Sequence, residues 1–140
     1  MLVTGGKDGS NAGLNTVELF LPSAGTSCSL PPLPGIRYAH TLDNNILCGG
    51  FVKDCIQLNP NTGSWEQLLT MSQYRNYHVS WTPNNGIGTY LMGGESLTDT
   101  TTLIKADGTL AQGFALKHQT ESVLNTINDV DTLTEWCAAL

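Results

Sequence analysis

The stretch Ile46-Leu47-Cys48-Gly49-Gly50-Phe51-Val52-Lys53-Asp54-Cys55-Ile56-Gln57-Leu58 decides the fold. A short apolar run ends in two glycines, a polar loop follows, and a second apolar run begins. The first run occurs twice more, as Leu2-Val3-Thr4-Gly5-Gly6 and Tyr90-Leu91-Met92-Gly93-Gly94. Gly6, Gly50 and Gly94 stand 44 residues apart in both intervals. Self-similarity at such a period marks a repeat architecture, in which each unit is one supersecondary element.

Other features recur around this mark. Arg37-Tyr38-Ala39-His40 returns as Arg75-Asn76-Tyr77-His78, preceded by Leu33-Pro34 and Leu69-Thr70-Met71. Each double glycine is followed by a polar loop, a short apolar run and a turn. The runs are Val17-Glu18-Leu19-Phe20, Cys55-Ile56-Gln57-Leu58 and Thr102-Leu103-Ile104. The second unit predicts four strands: Tyr38 to Leu42, Ile46 to Cys48, Cys55 to Leu58 and Trp65 to Leu69. Asn44-Asn45 and Asn84-Asn85-Gly86 tolerate positive φ and read as hairpin turns. Short strands at this spacing predict an all-β fold. A four-stranded unit near this length predicts a propeller blade.

The motifs choose among propellers. Gly-His followed by Trp-Asp is missing. The double glycine, the Arg-x-x-His and the Trp65 that follows a Thr-Gly turn resemble the kelch repeat family and its galactose-oxidase-like relatives. The resemblance covers about residues 1–116, within a propeller segment of 1–120 whose units fall at about 1–34, 35–72 and 73–118. It implies a partial kelch-type propeller of about three four-stranded antiparallel blades. It also implies structural roles for Gly5, Gly6, Gly49, Gly50, Gly93, Gly94, Arg37, Arg75, His40, His78 and Trp65. The glycines would lie where chains crowd, Trp65 would fill the wedge between neighbouring blades, and the arginines would bond backbone carbonyls or a neighbouring blade. A metal held by His40 and His78 in a central channel is the competing reading of the histidines.

The chain has 140 residues, 13% of them charged, and a formal net charge of −6. Its six basic residues are scattered singly, so no electrostatic footprint for nucleic acid exists. No apolar run is long enough to cross a bilayer, and no signal peptide is expected. No catalytic motif and no cofactor site is identified. Tyr38, Tyr74, Tyr77 and Tyr90 fall at repeat positions and form no copper constellation.

Cys48 and Cys55 replace residues of the other units within one unit, which suggests a cross-strand disulfide; the alternative is two small buried apolar residues. The bond would mean an oxidising compartment, hence a lean to an extracellular location over a cytoplasmic one. Cys28 and Cys137 show no evident partner and are read as pairing with a missing blade or free.

Residues 121–140 do not continue the repeat. They hold Glu121, Asp129, Asp131 and Glu135, with Val123, Leu124, Ile127 and Val130 at helix-like spacing. Three blades cannot close a ring, so a fragment, or self-association through uncovered blade faces, is expected. The function expected is a non-catalytic protein-interaction module binding an unidentified protein partner. Its strand-connecting loops Lys7–Thr16, Phe51–Asp54 and Glu95–Thr101 offer Lys7, Asp8, Asn11, Asn15, Lys53, Asp54, Glu95 and Asp99. The alternative is a remnant of a galactose-oxidase-like copper oxidase or a carbohydrate-binding propeller.

Overall fold

The computed structural model describes residues 1–84, 86–95, 101–105 and 107–112. Asp99, Cys137 and the whole of 121–140 lie outside the described residues. Among the described residues the chain is all-β, with antiparallel sheets of three or four strands and no helix. The first sheet comprises β1 (Leu2–Thr4), β2 (Val17–Leu21) and β3 (Thr26–Leu30). The second comprises β4 (His40–Asp43), β5 (Ile46–Gly49), β6 (Asp54–Leu58) and β7 (Trp65–Thr70). The third comprises β8 (Val79–Trp81), β9 (Gly88–Met92), β10 (Thr101–Lys105) and β11 (Leu110–Gln112). Each sheet is a meander in which sequential strands pair.

The strand period of two sends alternate residues to opposite faces. In the second sheet, Leu47, Ile56 and Leu58 pack with Val17, Leu19 and Leu30 of the first sheet and with Leu33. Cys48, Cys55 and Met71 pack with Leu91 and Ile104 of the third. The middle sheet is therefore covered on both faces, and the three sheets stack in chain order. Trp65 packs at the first of these cores, and its indole N–H donates to the Pro31 carbonyl at 3.1 Å. It thus spans from the second sheet to the chain that leaves the first.

The Asn44-Asn45 turn follows its sequence signal, and Asn85 of the other expected turn lies outside the described residues. Asn44 and Asn45, at φ of 48° and 63°, supply the paired left-handed residues that a tight hairpin needs. One boundary differs from the sequence expectation. The strand predicted from Tyr38 begins at His40, because Ala39 sits at a φ of 57°, outside the extended region. Tyr77, the matching residue of the next unit, has a φ of 53°, and its N–H donates to the Ala39 carbonyl at 2.9 Å.

Candidate functional site

The double glycines and the Arg-x-x-His segments meet at one end of the stack. Gly6 N–H donates to the Arg37 carbonyl at 2.8 Å, and Gly50 N–H to the Arg75 carbonyl at 2.9 Å. The arginine side chains reach the other way. Arg37 Nη1 donates to the Gly49 carbonyl at 3.1 Å, and Arg75 Nη1 donates to that of Gly93. Each arginine therefore ties the double glycine of its own unit to that of the unit before. Arg37 is completed by an ion pair with Asp54 at 2.8 Å, and Arg75 by a bond to the Thr102 hydroxyl at 3.1 Å.

The first glycine of the pairs at 5–6 and 49–50 is required by close approach. A Cβ on Gly5 would lie 2.3 Å from the Arg37 carbonyl oxygen, and one on Gly49 would lie 2.0 Å from that of Arg75. Both glycines also have positive φ, at 54° and 69°.

The histidines complete the junctions. His40 Nε2 is hydrogen-bonded to Thr4 Oγ1 at 2.9 Å, and His78 Nε2 to Thr41 Oγ1 at 2.8 Å. Both Nδ1 atoms are buried without a partner. A bare nitrogen lone pair is tolerable there, whereas an N–H would be an unanswered donor. The neutral Nε2–H tautomer is therefore the form that fits. Burial, then the Arg75 charge, then His40, push His78 down to about 4. Burial and the Arg37 charge also hold His40 below the usual imidazole value, against the opposing bond from Thr4. Among the described residues no group of three or more His, Cys, Asp or Glu side chains gathers.

Beyond these buried contacts lies an exposed row of rings. Lys7 and Phe51 each follow a double glycine; Tyr38 and Tyr77 each lie within an Arg-x-x-His segment. The Lys7 ammonium sits 4.4 Å from the centroid of Tyr38. The Tyr38 and Phe51 centroids are 4.8 Å apart, and those of Phe51 and Tyr77 are 6.2 Å apart, edge to face. The row draws on loop residues from all three units. Phe51 is 43% exposed and Tyr77 65%. Phe51 has a φ of 67°, a costly conformation for a bulky residue. Beside the row, the Lys53 ammonium sits 5.1 Å from the Tyr74 ring, and Tyr74 is also exposed.

The expected loop residues divide sharply. Lys7 and Lys53 belong to this surface. Asp8 turns inward on its own loop, accepting from Ser10 N–H, Ser10 Oγ–H and Ala12 N–H, and these bonds hold its carboxyl below the usual range. Asn11 sits in that turn at a φ of 68°, and Asn15 pins the loop to Leu33 through backbone and side chain. Asp54 is taken up by Arg37, and Glu95 accepts from the Asn76 amide. The rings at 38, 51 and 77 were the part that sequence reasoning missed as a binding set. The available signal was that two follow or replace motif residues without serving the motif.

Cys48 and Cys55 are direct register partners on β5 and β6, and a disulfide joins them. Cys28 is disulfide-bonded as well. The chain matches no protein-family model and has no significant match among curated proteins.

Proposed function

We propose that the chain is a kelch-type propeller segment acting as a non-catalytic protein-binding module, and that its partner docks on the row Lys7, Tyr38, Phe51 and Tyr77. The kelch reading is supported by the double-glycine, arginine and histidine set, which makes the same bonds at both junctions between sheets. The single observation that carries the binding reading is an exposed aromatic row built on a rigid base. Aromatic rings with few rotatable bonds lose little entropy on docking and dominate the energetics of protein interfaces. Loops held by a stiff scaffold are where such groups sit.

A peptide library displayed on phage and selected on the intact chain tests the proposal. Selected peptides are expected to bind the double variant Phe51→Ser with Tyr77→Ser at least about tenfold more weakly, since ring anchors carry most of an interface's energy. Equal binding to both forms would sink it. Binding of oligosaccharides, but of no peptide, that is lost in the same variant would replace it with the carbohydrate reading.

A further inference from the structure

The two seams between sheets share one plan but are filled differently. Alignment on the double glycines matches Leu2 with Ile46, and their register partners are Leu19 and Gln57. At the first seam this place holds Leu19, which is 2% exposed. At the second it holds Gln57, which is exposed. The outer strands differ as well. Leu58 pairs with Trp65 and Ile104 with Leu110, so Leu110 stands where the second sheet has its tryptophan. Trp65 packs on the first core and donates its indole N–H to the Pro31 carbonyl. Leu110 packs on the second core but brings neither a ring nor a donor.

A cleft of about 230 Å³ opens at this second seam, at the hairpin ends of the two sheets and away from the double glycines. Its apolar lining is Ile46, Leu68 and Ile104. Part of the wall from the third sheet carries no side chain. Gly88 and Gly108 stand there, and a Cβ on Gly88 would lie 1.9 Å from the Ile104 carbonyl oxygen. The polar lining divides in two. The Thr82 and Thr89 hydroxyls are hydrogen-bonded to each other at 2.7 Å. The side-chain amides of Asn44 and Gln57 make no hydrogen bond among the described residues. No carboxylate lines the cleft, and Lys105 follows the inward Ile104, so strand alternation turns its ammonium to the other face.

We infer that this cleft binds a small, neutral, planar aromatic molecule with one N–H or O–H donor, taking the role that the Trp65 indole has at the first seam. The molecule's own first seam shows the fit: a flat ring wedged between sheets, with its single donor answered by a carbonyl. The ring covers Ile46, Leu68 and Ile104, and the Gln57 amide carbonyl accepts the donor. The volume lies below that of sites for drug-sized ligands, which limits the occupant to one ring or a fused pair. The absence of charge from the lining selects a neutral ligand, since a charged one would lose water without gaining a partner. The site lies at the opposite end of the strands from the aromatic row and does not depend on it.

The probe is indole, titrated into the intact chain and followed by methyl NMR, because a ligand this small binds weakly. Saturable shifts and intermolecular NOEs at the methyls of Ile46, Leu68 and Ile104 are expected. 1-Methylindole keeps the ring and loses the donor, and is expected to bind about fivefold more weakly, the worth of one hydrogen bond. Gln57→Leu, which installs the residue of the first seam, should erase that difference. Leu110→Trp supplies the missing ring from the chain itself and is expected to weaken indole binding at least about tenfold. Gln57→Trp fills the cleft from an exposed position and should do the same, which keeps the test open if Leu110→Trp does not fold. Indole NOEs only to Trp81 or Tyr90, no saturable shift, or unchanged binding in a folded filling variant would each overturn the inference. So would equal affinity for the two indoles, or binding of a tryptophan-containing peptide but not of free indole. NOEs from the three lining methyls to another segment of the unliganded chain would also overturn it, since the cleft would already be filled.

Discussion

His78 is where the stack is most sensitive to protons. It is 7% exposed, neutral, and bonded through Nε2 to a threonine of the neighbouring sheet. Its folded-state pKa, about 4, lies below the ordinary imidazole value of 6.5. The unfolded chain therefore binds the extra proton first as pH falls. Stability from this residue is full above about pH 6.5 and declines through the window down to about pH 4. A shift of that size corresponds to about 3 kcal/mol, lost by the lower end of the window. His40 is depressed in the same direction and adds to the slope. Urea midpoints measured from pH 7.5 to 4 are expected to fall steadily for the wild type. His78→Gln keeps a donor near Nε2 but does not titrate, so its midpoints should fall less steeply over the same range. Parallel curves for the two proteins would show that His78 is not a source of the acid sensitivity.

At the scale of elements, the second sheet is the joint on which the others depend. Its β5 and β6 are crossed by the Cys48–Cys55 disulfide on the face toward the third sheet, with Met71, Leu91 and Ile104 around it. Closing a short loop limits the unfolded chain, and both sulfurs also fill core volume. Replacing both cysteines by alanine is expected to cost about 2–4 kcal/mol, read as a lower urea midpoint. A change under about 0.5 kcal/mol would mean that the surrounding packing holds the strands without the bond. The element pattern was legible because double glycines, paired asparagines and short apolar runs act locally. The start of β4 was not, since Ala39 carries no sequence signal for positive φ; its conformation is set by the Tyr77 N–H that reaches it from the next unit. The same limit hid the ring row. Tyr38, Phe51 and Tyr77 come from two units and converge only when the sheets stack. Asp8, Asn15, Asp54 and Glu95 read as free loop polar groups, but partners up to 19 residues away occupy them or their loops.

For the molecule as a whole, the stacking of three sheets covers both faces of the middle one, and among the described residues no further sheet packs on the outer face of either end sheet. The two outer faces differ in kind. On the first sheet, Val3, Glu18, Phe20, Ser27 and Ser29 alternate with the buried set, so that face is largely polar. On the third sheet, Val79 and Trp81 lie opposite Met92 and Tyr90, and Trp81 stacks on Tyr90 with centroids 5.6 Å apart. Val79 is 60% exposed and Trp81 49%. Leu103, opposite Tyr90 on the same face, is 3% exposed, so the exposed part of this face is its Val79–Trp81 edge, and each Å² of such apolar surface removed from water gains about 25 cal/mol. Contiguous patches of this kind mark association surfaces. A polar first face cannot match the apolar third face, so head-to-tail growth is disfavoured and a two-fold pairing of third faces is the arrangement left. At tens of micromolar the chain is therefore expected to sediment as a dimer of the 15.0 kDa protomer, without extension to larger species. Val79→Thr with Trp81→Ser should restore the protomer mass and leave the double-glycine junctions intact, because both side chains are exposed and the junction bonds are made by other residues. A 15.0 kDa species that persists in the wild type at every concentration would show that this face is not the one that associates. A dimer unchanged by the double substitution would move the contact to another surface.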